Sequence, residues 1–230
     1  MTVESGGIAR NLAALESRMK AACERSGRAP ASVRLVAVTK TVDTDAVRVL
    51  NSLGVTDFGE SRVQELVRKA VSLEDLPLRW HMIGHLQRNK IKHLLPHSRT
   101  LHSLDSRSLA EDLSRRAAEA GLEMNVLIEL NVSGEETKYG ARPEEAAGLA
   151  EGVVKLPALR LCGLMTLAPV TDDPEKVRPL FADLRELADT LARNLPPGAM
   201  SELSMGMTQD FEVAIEEGAT MVRIGSGLFA

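Results

Sequence analysis

Residues 34–40 read RLVAVTK. The apolar residues run unbroken from Leu35 to Val38, with Ala29-Pro30 before them and Asp43 after. A short, valine-rich apolar run between such breakers is the pattern of a strand buried on both faces in a parallel sheet. The stretch ends in a lysine. Side chains alternate along a strand, so Lys40 shares a face with Val36 and Val38. If those valines point into a barrel, Lys40 stands at its rim. A lone lysine at a strand end reads as a solvated side chain; what else reaches the same end of the molecule decides whether it means more.

Ahead of this strand, the spacing of Ile8, Leu12, Leu15, Met19 and Ala22 predicts an amphipathic helix over 8–26, stopped near Gly27. After the opening strand the chain alternates. Helices are expected over 44–53, 61–73, 87–95, 108–120, 143–155, 174–193 and 210–217. Between them fall strands at 56–59, 79–84, 100–104, 124–131, 159–165, 200–204 and 221–224. Asp105 or Ser106 suits a helix cap, and Pro143 the first turn of a helix. No linker-like segment interrupts the series. Eight strand–helix units in about 200 residues imply a closed, parallel (β/α)8 barrel of the TIM type with one extra N-terminal helix. An open doubly wound sheet is the runner-up, but the first strand is not followed by GxGxxG.

Composition agrees with one aliphatic core. Of 230 residues 44% are hydrophobic and only 3% aromatic, and barrels of this length are routinely one domain, so 1–230 is expected to be a single unit. The net charge of −4 argues against a general nucleic-acid binder, which would be basic. Cys23 and Cys162 are the only cysteines, too few and too far apart for a disulfide framework or a zinc site, which fits a reducing compartment. No basic segment followed by an apolar one opens the chain, and no run approaches the roughly 18 apolar residues of a membrane span. A monomer in the cytoplasm is expected.

In a barrel of this kind the chemistry lies at the C-terminal ends of the strands, with phosphate often held by the loops after strands seven and eight. Those loops are the small, glycine-rich stretches Ser204-Met205-Gly206-Met207 and Arg223-Ile224-Gly225-Ser226-Gly227. Each offers a serine hydroxyl, and backbone N–H groups of such turns can cradle an anion. A rim lysine beside a phosphate cradle points to pyridoxal 5'-phosphate (PLP) held as a Schiff base.

The chain closely resembles the pyridoxal phosphate homeostasis proteins, relatives of the N-terminal barrel of alanine racemase. The resemblance is carried by LVAVTK (35–40), DFGE with VQE (57–60, 63–65), WHMIGHLQRNK (80–90), LHSLDS (101–106), NVSGEETKYG (131–140), GLMTLAP (163–169), LSMGMTQDFEVAI (203–215) and VRIGSGLF (222–229). Together these span nearly the whole chain in order. The resemblance implies that Lys40 is the cofactor lysine, that Ser204, Gly206, Gly225 and Ser226 hold the phosphate, and that Arg223 faces the pyridine nitrogen. It also implies a role in PLP homeostasis, with apo PLP-dependent enzymes as recipients, rather than efficient catalysis. Three departures stand out: Ser61 replaces the family's usual asparagine after DFGE, Val42 stands where some members carry a second lysine, and a lysine-bearing tail is missing after Phe229-Ala230.

Other residues admit blander roles. His81 and His85 share strand parity and His102 lies on the next strand, but no His-x-His and no obviously aligned acid accompany them, so no metal site is expected. One histidine is expected against the cofactor ring and the rest as structural groups. Glu129 interrupts an apolar strand, as a polar barrel residue or a paired buried acid. Lys138, in the loop after the fifth strand, matches a family lysine and is a candidate for cofactor entry or transfer. The alternative function is a small PLP enzyme such as an amino-acid racemase. That reaction needs a base on each face of the substrate; Lys40 supplies one, and Tyr139 is the only tyrosine. A third reading is a barrel enzyme acting on a sugar phosphate through Lys40.

Overall fold

The first helix forms where the apolar spacing places it. In the computed structural model, which describes residues 5–132 and 139–230, α1 spans Ser5–Arg25. Its buried stripe is Ile8, Leu12, Leu15, Met19, Ala22 and Cys23. Gly27 then turns the chain at φ +68°, a conformation glycine adopts without steric cost.

From there strands and helices alternate: β1 Arg34–Val38, α2 Thr44–Ser52, β2 Asp57–Glu60, α3 Val63–Ser72, β3 Arg79–Met82, α4 Ile91–Leu94, β4 Thr100–Leu104 and α5 Arg107–Glu119. The second half follows with β5 Met124–Leu130, α6 Ala146–Val153, β6 Leu159–Thr166, α7 Arg178–Ala192, β7 Glu202–Ser204, α8 Phe211–Glu216, β8 Met221–Ile224 and α9 Ser226–Phe229. All eight strands are parallel, each paired with its neighbour in sequence, and β8 closes on β1. The (β/α)8 barrel with a leading helix is therefore the architecture.

Alternation sorts the side chains into two regions. The large aliphatic core lies between strands and helices, with Phe58, Phe181 and Phe211 fully buried in it. Inside the barrel the apolar cluster is small: Val36, Leu127, Met165 and Met221, with Cys162 against it. Val36 points inward, so the parity of β1 directs Val38 and Lys40 toward the barrel axis. Gly59 on β2 also faces in; a Cβ there would lie 3.1 Å from Val36 and 3.2 Å from Ile83. The remaining inward positions are mostly polar.

Three local expectations change. The helix expected over 87–95 is a 3-10 turn, Arg88–Lys90, followed by the single turn of α4, since Pro96 leaves it no room to continue. β7 is shorter than 200–204, because a turn at Gly198 (φ +86°) still binds the N–H of Ser201. The end of the glycine stretch after β8 winds into α9, which the small residues concealed.

Candidate functional site

Lys40 is two residues past the end of β1. The ladder continues one step beyond the strand, with Thr39 N–H donating to Gly59 O at 3.1 Å. Thr39 points outward and is fully buried. Its hydroxyl donates to Glu60 Oε1 (2.6 Å), and its carbonyl accepts from Lys69 Nζ (2.5 Å). Lys69 also bonds Glu60 Oε1 at 2.6 Å, and both charged side chains are only 1% exposed. The residue before Lys40 is thus clamped to α3 by a buried ion pair, while the Lys40 side chain itself is exposed at the barrel mouth.

A cavity of about 490 Å³ opens there. Val38, Ile83, Leu167, Pro169, Val170 and Met207 give it apolar walls. Lys40, Thr41, Thr208, Gln209, Asp210, Arg223 and Ser226 supply its polar groups, with Gly225, Ser61 and Gly84 completing the rim. Gly84 admits the loop after β2, since a Cβ there would fall 2.4 Å from Ser61 O. Of the residues expected at the site, Lys40, Arg223, Gly225 and Ser226 therefore line one cavity.

Ser204 and Gly206 do not line it. Ser204 is fully buried below the mouth, its Oγ between Arg223 Nη1 (2.6 Å) and His102 Nδ1 (2.8 Å). Gly206 has φ +90°, and the face a Cβ would occupy is filled by Ala214 and Phe211, so it lets β7 turn onto α8. The hydroxyl beside Ser226 is instead that of Thr208. Thr208 Oγ1 accepts from Ser226 Oγ (3.2 Å) and from Gly227 N–H (3.2 Å), tying the two glycine-rich turns together. Thr208 lies within the stretch 203–215, and a lone threonine there carries no small-residue signature of the kind that marks the serines and glycines.

Arg223 is 3% exposed. Burial pulls its guanidinium down to about 10, opposed by Glu129 and Asp210, and it remains cationic at neutral pH. Nη2 donates to Thr166 O at 2.8 Å. Glu129, 4% exposed, is pushed up to about 7 by burial, with Arg223 opposing the shift and Asp105 adding to it. Asp210 is raised by burial too, although its Oδ1 accepts the N–H of Met207 at 2.6 Å.

The histidines separate. His81 and His102 are buried within the barrel and bond each other, Nδ1 to Nε2, at 2.8 Å. An acid is aligned with them after all: Asp57, inward on β2, reaches His81 Nε2 at 3.0 Å. Its parity with Gly59 was the signal. His85 lies outside the cavity, bonded to Asp105 (3.1 Å) and stacked on Tyr139 with ring centroids 4.2 Å apart. Lys138 falls outside the described residues.

A lysine at the end of the first strand, an arginine on the last, and hydroxyl-bearing glycine turns around one cavity define a lysine-bearing (β/α)8 barrel with a polar mouth. Residues 10–230 match the family described as "Alanine racemase, N-terminal domain". The chain is 48% identical to the pyridoxal phosphate homeostasis protein of Aquifex aeolicus over 212 residues, 92% of each chain. It is 44% identical to that of Pseudomonas aeruginosa over 222 residues, 96% of this chain and 94% of the other. Among solved structures, PipY of Synechococcus elongatus with PLP bound superposes with a TM-score of 0.85 at 36% identity, covering 97% of this chain and all of PipY. The chain belongs to the pyridoxal phosphate homeostasis protein family.

Proposed function

We propose that residues 1–230 form a single domain that binds PLP as a Schiff base on Lys40 and serves cofactor homeostasis, passing PLP to apo-enzymes as a cytoplasmic monomer. The observation that carries this reading is the joint presence, around one cavity of about 490 Å³, of the Lys40 amine, the Arg223 guanidinium and the Thr208–Ser226 pair. These residues fit the group chemically: an amine for its aldehyde, a cation for its ring nitrogen, and hydroxyls with turn N–H groups for its phosphate. When bound, PLP supplies an electron sink conjugated to the lysine.

The chain's own residues would weaken that sink. Arginine presents only donors, so Arg223 toward the ring nitrogen leaves it without a proton. Val38, Ile83, Leu167 and Pro169 pack the walls. Racemisation needs a proton-exchanging group on each face. Among the described residues lining the cavity, the carboxyl beside Lys40 and Arg223 is Asp210, already engaged by Met207 N–H. Tyr139 is stacked on His85, away from the lining. This favours a carrier over a racemase.

The test is to mix purified protein with PLP, record the absorbance, reduce with borohydride and map the adduct. A yellow protein carrying the reduced adduct on Lys40, with the band lost in a folded Lys40→Ala variant, supports the reading. An adduct on another lysine, or an unchanged band in Lys40→Ala, overturns it. Rapid Cα deuteration and inversion of an L-amino acid in deuterated water would promote the racemase.

A further inference from the structure

A line of buried side chains crosses the inside of the barrel. At the base, Arg79 bonds Asp57 through Nε (3.0 Å) and Nη2 (2.6 Å). Asp57 Oδ1 meets His81 Nε2 (3.0 Å), His81 Nδ1 meets His102 Nε2 (2.8 Å), and His102 Nδ1 meets Ser204 Oγ (2.8 Å). Ser204 Oγ meets Arg223 Nη1 (2.6 Å) at the cavity. Five strands contribute: β2, β3, β4, β7 and β8. From Asp57 to Arg223 every member is at most 4% exposed.

The two ends decide where the protons lie. A guanidinium can only donate, so Ser204 Oγ accepts from Arg223. The serine's own proton then needs an acceptor, and His102 Nδ1 faces it. His102 therefore has a bare Nδ1 and carries its proton on Nε2, which donates to His81 Nδ1. His81 in turn carries its proton on Nε2 and donates to Asp57, where an ionised carboxylate can only accept. Each link forces the next, and both ends give the same answer. The opposite order would aim two donors at Ser204 Oγ and leave its hydroxyl proton facing a cation. Burial alone would raise the Asp57 carboxyl, but the bonds from His81, Arg79 and Thr56 outweigh it and hold Asp57 well below the usual carboxylate range. Burial likewise holds His102 well below its usual value, as a neutral ring.

We propose that Asp57, His81, His102 and Ser204 form a one-way hydrogen-bonded chain that positions Arg223, so that the carboxylate at the barrel base sets how the guanidinium is presented to a ligand in the mouth. They are positioning residues, acting only through Arg223. Two of the arginine's N–H groups are consumed, by Ser204 Oγ and Thr166 O, which fixes the plane of the group and leaves the others for the ligand. The proton order stands on the protein alone; its consequence for the mouth rests on the PLP reading above.

The experiment is 15N NMR of histidine-labelled protein without cofactor, with exposed His85 and His93 replaced by glutamine to simplify assignment. Both His81 and His102 are expected as Nε2–H tautomers. In Asp57→Asn the charge that holds the His81 proton on Nε2 is gone and one acceptor oxygen remains where there were two, so the His102 tautomer signature is expected to change although His102 does not touch residue 57. Ser204→Ala, a small truncation, checks the other end, and His102 is expected to lose its single tautomer. In the PLP-loaded protein, Asp57→Asn is expected to weaken binding by about five- to tenfold, the equivalent of one ordinary hydrogen bond. An Nδ1–H tautomer at either histidine in the wild type, or a His102 signature unmoved in both variants, overturns the chain. A wild type with the expected tautomers that binds no PLP overturns the cofactor reading and leaves the proton order standing. Altered tautomers with unchanged PLP affinity and absorbance overturn the positioning role.

Discussion

Lys69 is the cation of the buried clamp behind Lys40, and replacing it with methionine keeps the length of the side chain while removing its charge. Lys69 Nζ makes two short bonds, to Glu60 Oε1 at 2.6 Å and to Thr39 O at 2.5 Å. At about 1.5–3 kcal/mol for each bond involving a charged group, the pair accounts for roughly 3–6 kcal/mol. Breaking a buried ion pair from one side independently gives about 3–5 kcal/mol, because a charge is left without compensation. Here that charge is worse placed than usual, since Glu60 Oε2 is buried and already lacks a hydrogen-bond partner. Lys69→Met is therefore expected to lose about 3–5 kcal/mol in urea unfolding, a fall of roughly 6–20 °C in Tm for a chain of this size. The double variant Glu60→Met/Lys69→Met removes both charges and leaves only Thr39 short of partners. It is expected to recover about 2 kcal/mol or more relative to Lys69→Met. A loss below about 1 kcal/mol in the single variant, or strict additivity in the double, would refute the clamp.

Glu129 is expected to make stability fall as pH rises. Its folded value is raised from 4.5 to about 7, so between those values the folded chain holds a proton that the unfolded chain has released. The shift corresponds to about 3 kcal/mol at 1.36 kcal/mol per unit, expressed fully above neutral pH. Glu129→Gln should remove this slope, and parallel urea profiles for the two proteins from pH 4.5 to 7.5 would show that Glu129 is not the group responsible. Thr208→Val keeps the shape of the side chain but removes the oxygen that ties Ser226 and Gly227 together. It is expected to weaken PLP binding by about three- to tenfold, read by absorbance titration; equal affinity would remove Thr208 from the cradle.

The period-two and period-3.6 patterns, the breakers between them and the absence of long linkers were sufficient for the barrel, because each strand–helix unit is a local device and eight of them in series close in one way. That Lys40, Arg223, Gly225 and Ser226 stand at one barrel mouth was legible for a similar reason: a strand's parity and its end place a residue there without knowledge of its neighbours. What only the tertiary structure decided is which polar groups meet. Asp57, His81, His102 and Ser204 lie on four strands, up to 147 positions apart in sequence, and are bonded only because barrel closure and stagger bring them to one axis. Nothing in the local spacing marks Lys69 for burial; it is the packing of α3 that sets it against Glu60. Ser204 is level with Met221, two residues nearer the barrel base than Arg223, and that register puts its hydroxyl beneath the arginine rather than in the cavity lining. Contacts between distant segments are set by how strands stagger and how deep each side chain lies, and neither quantity is written in local spacing.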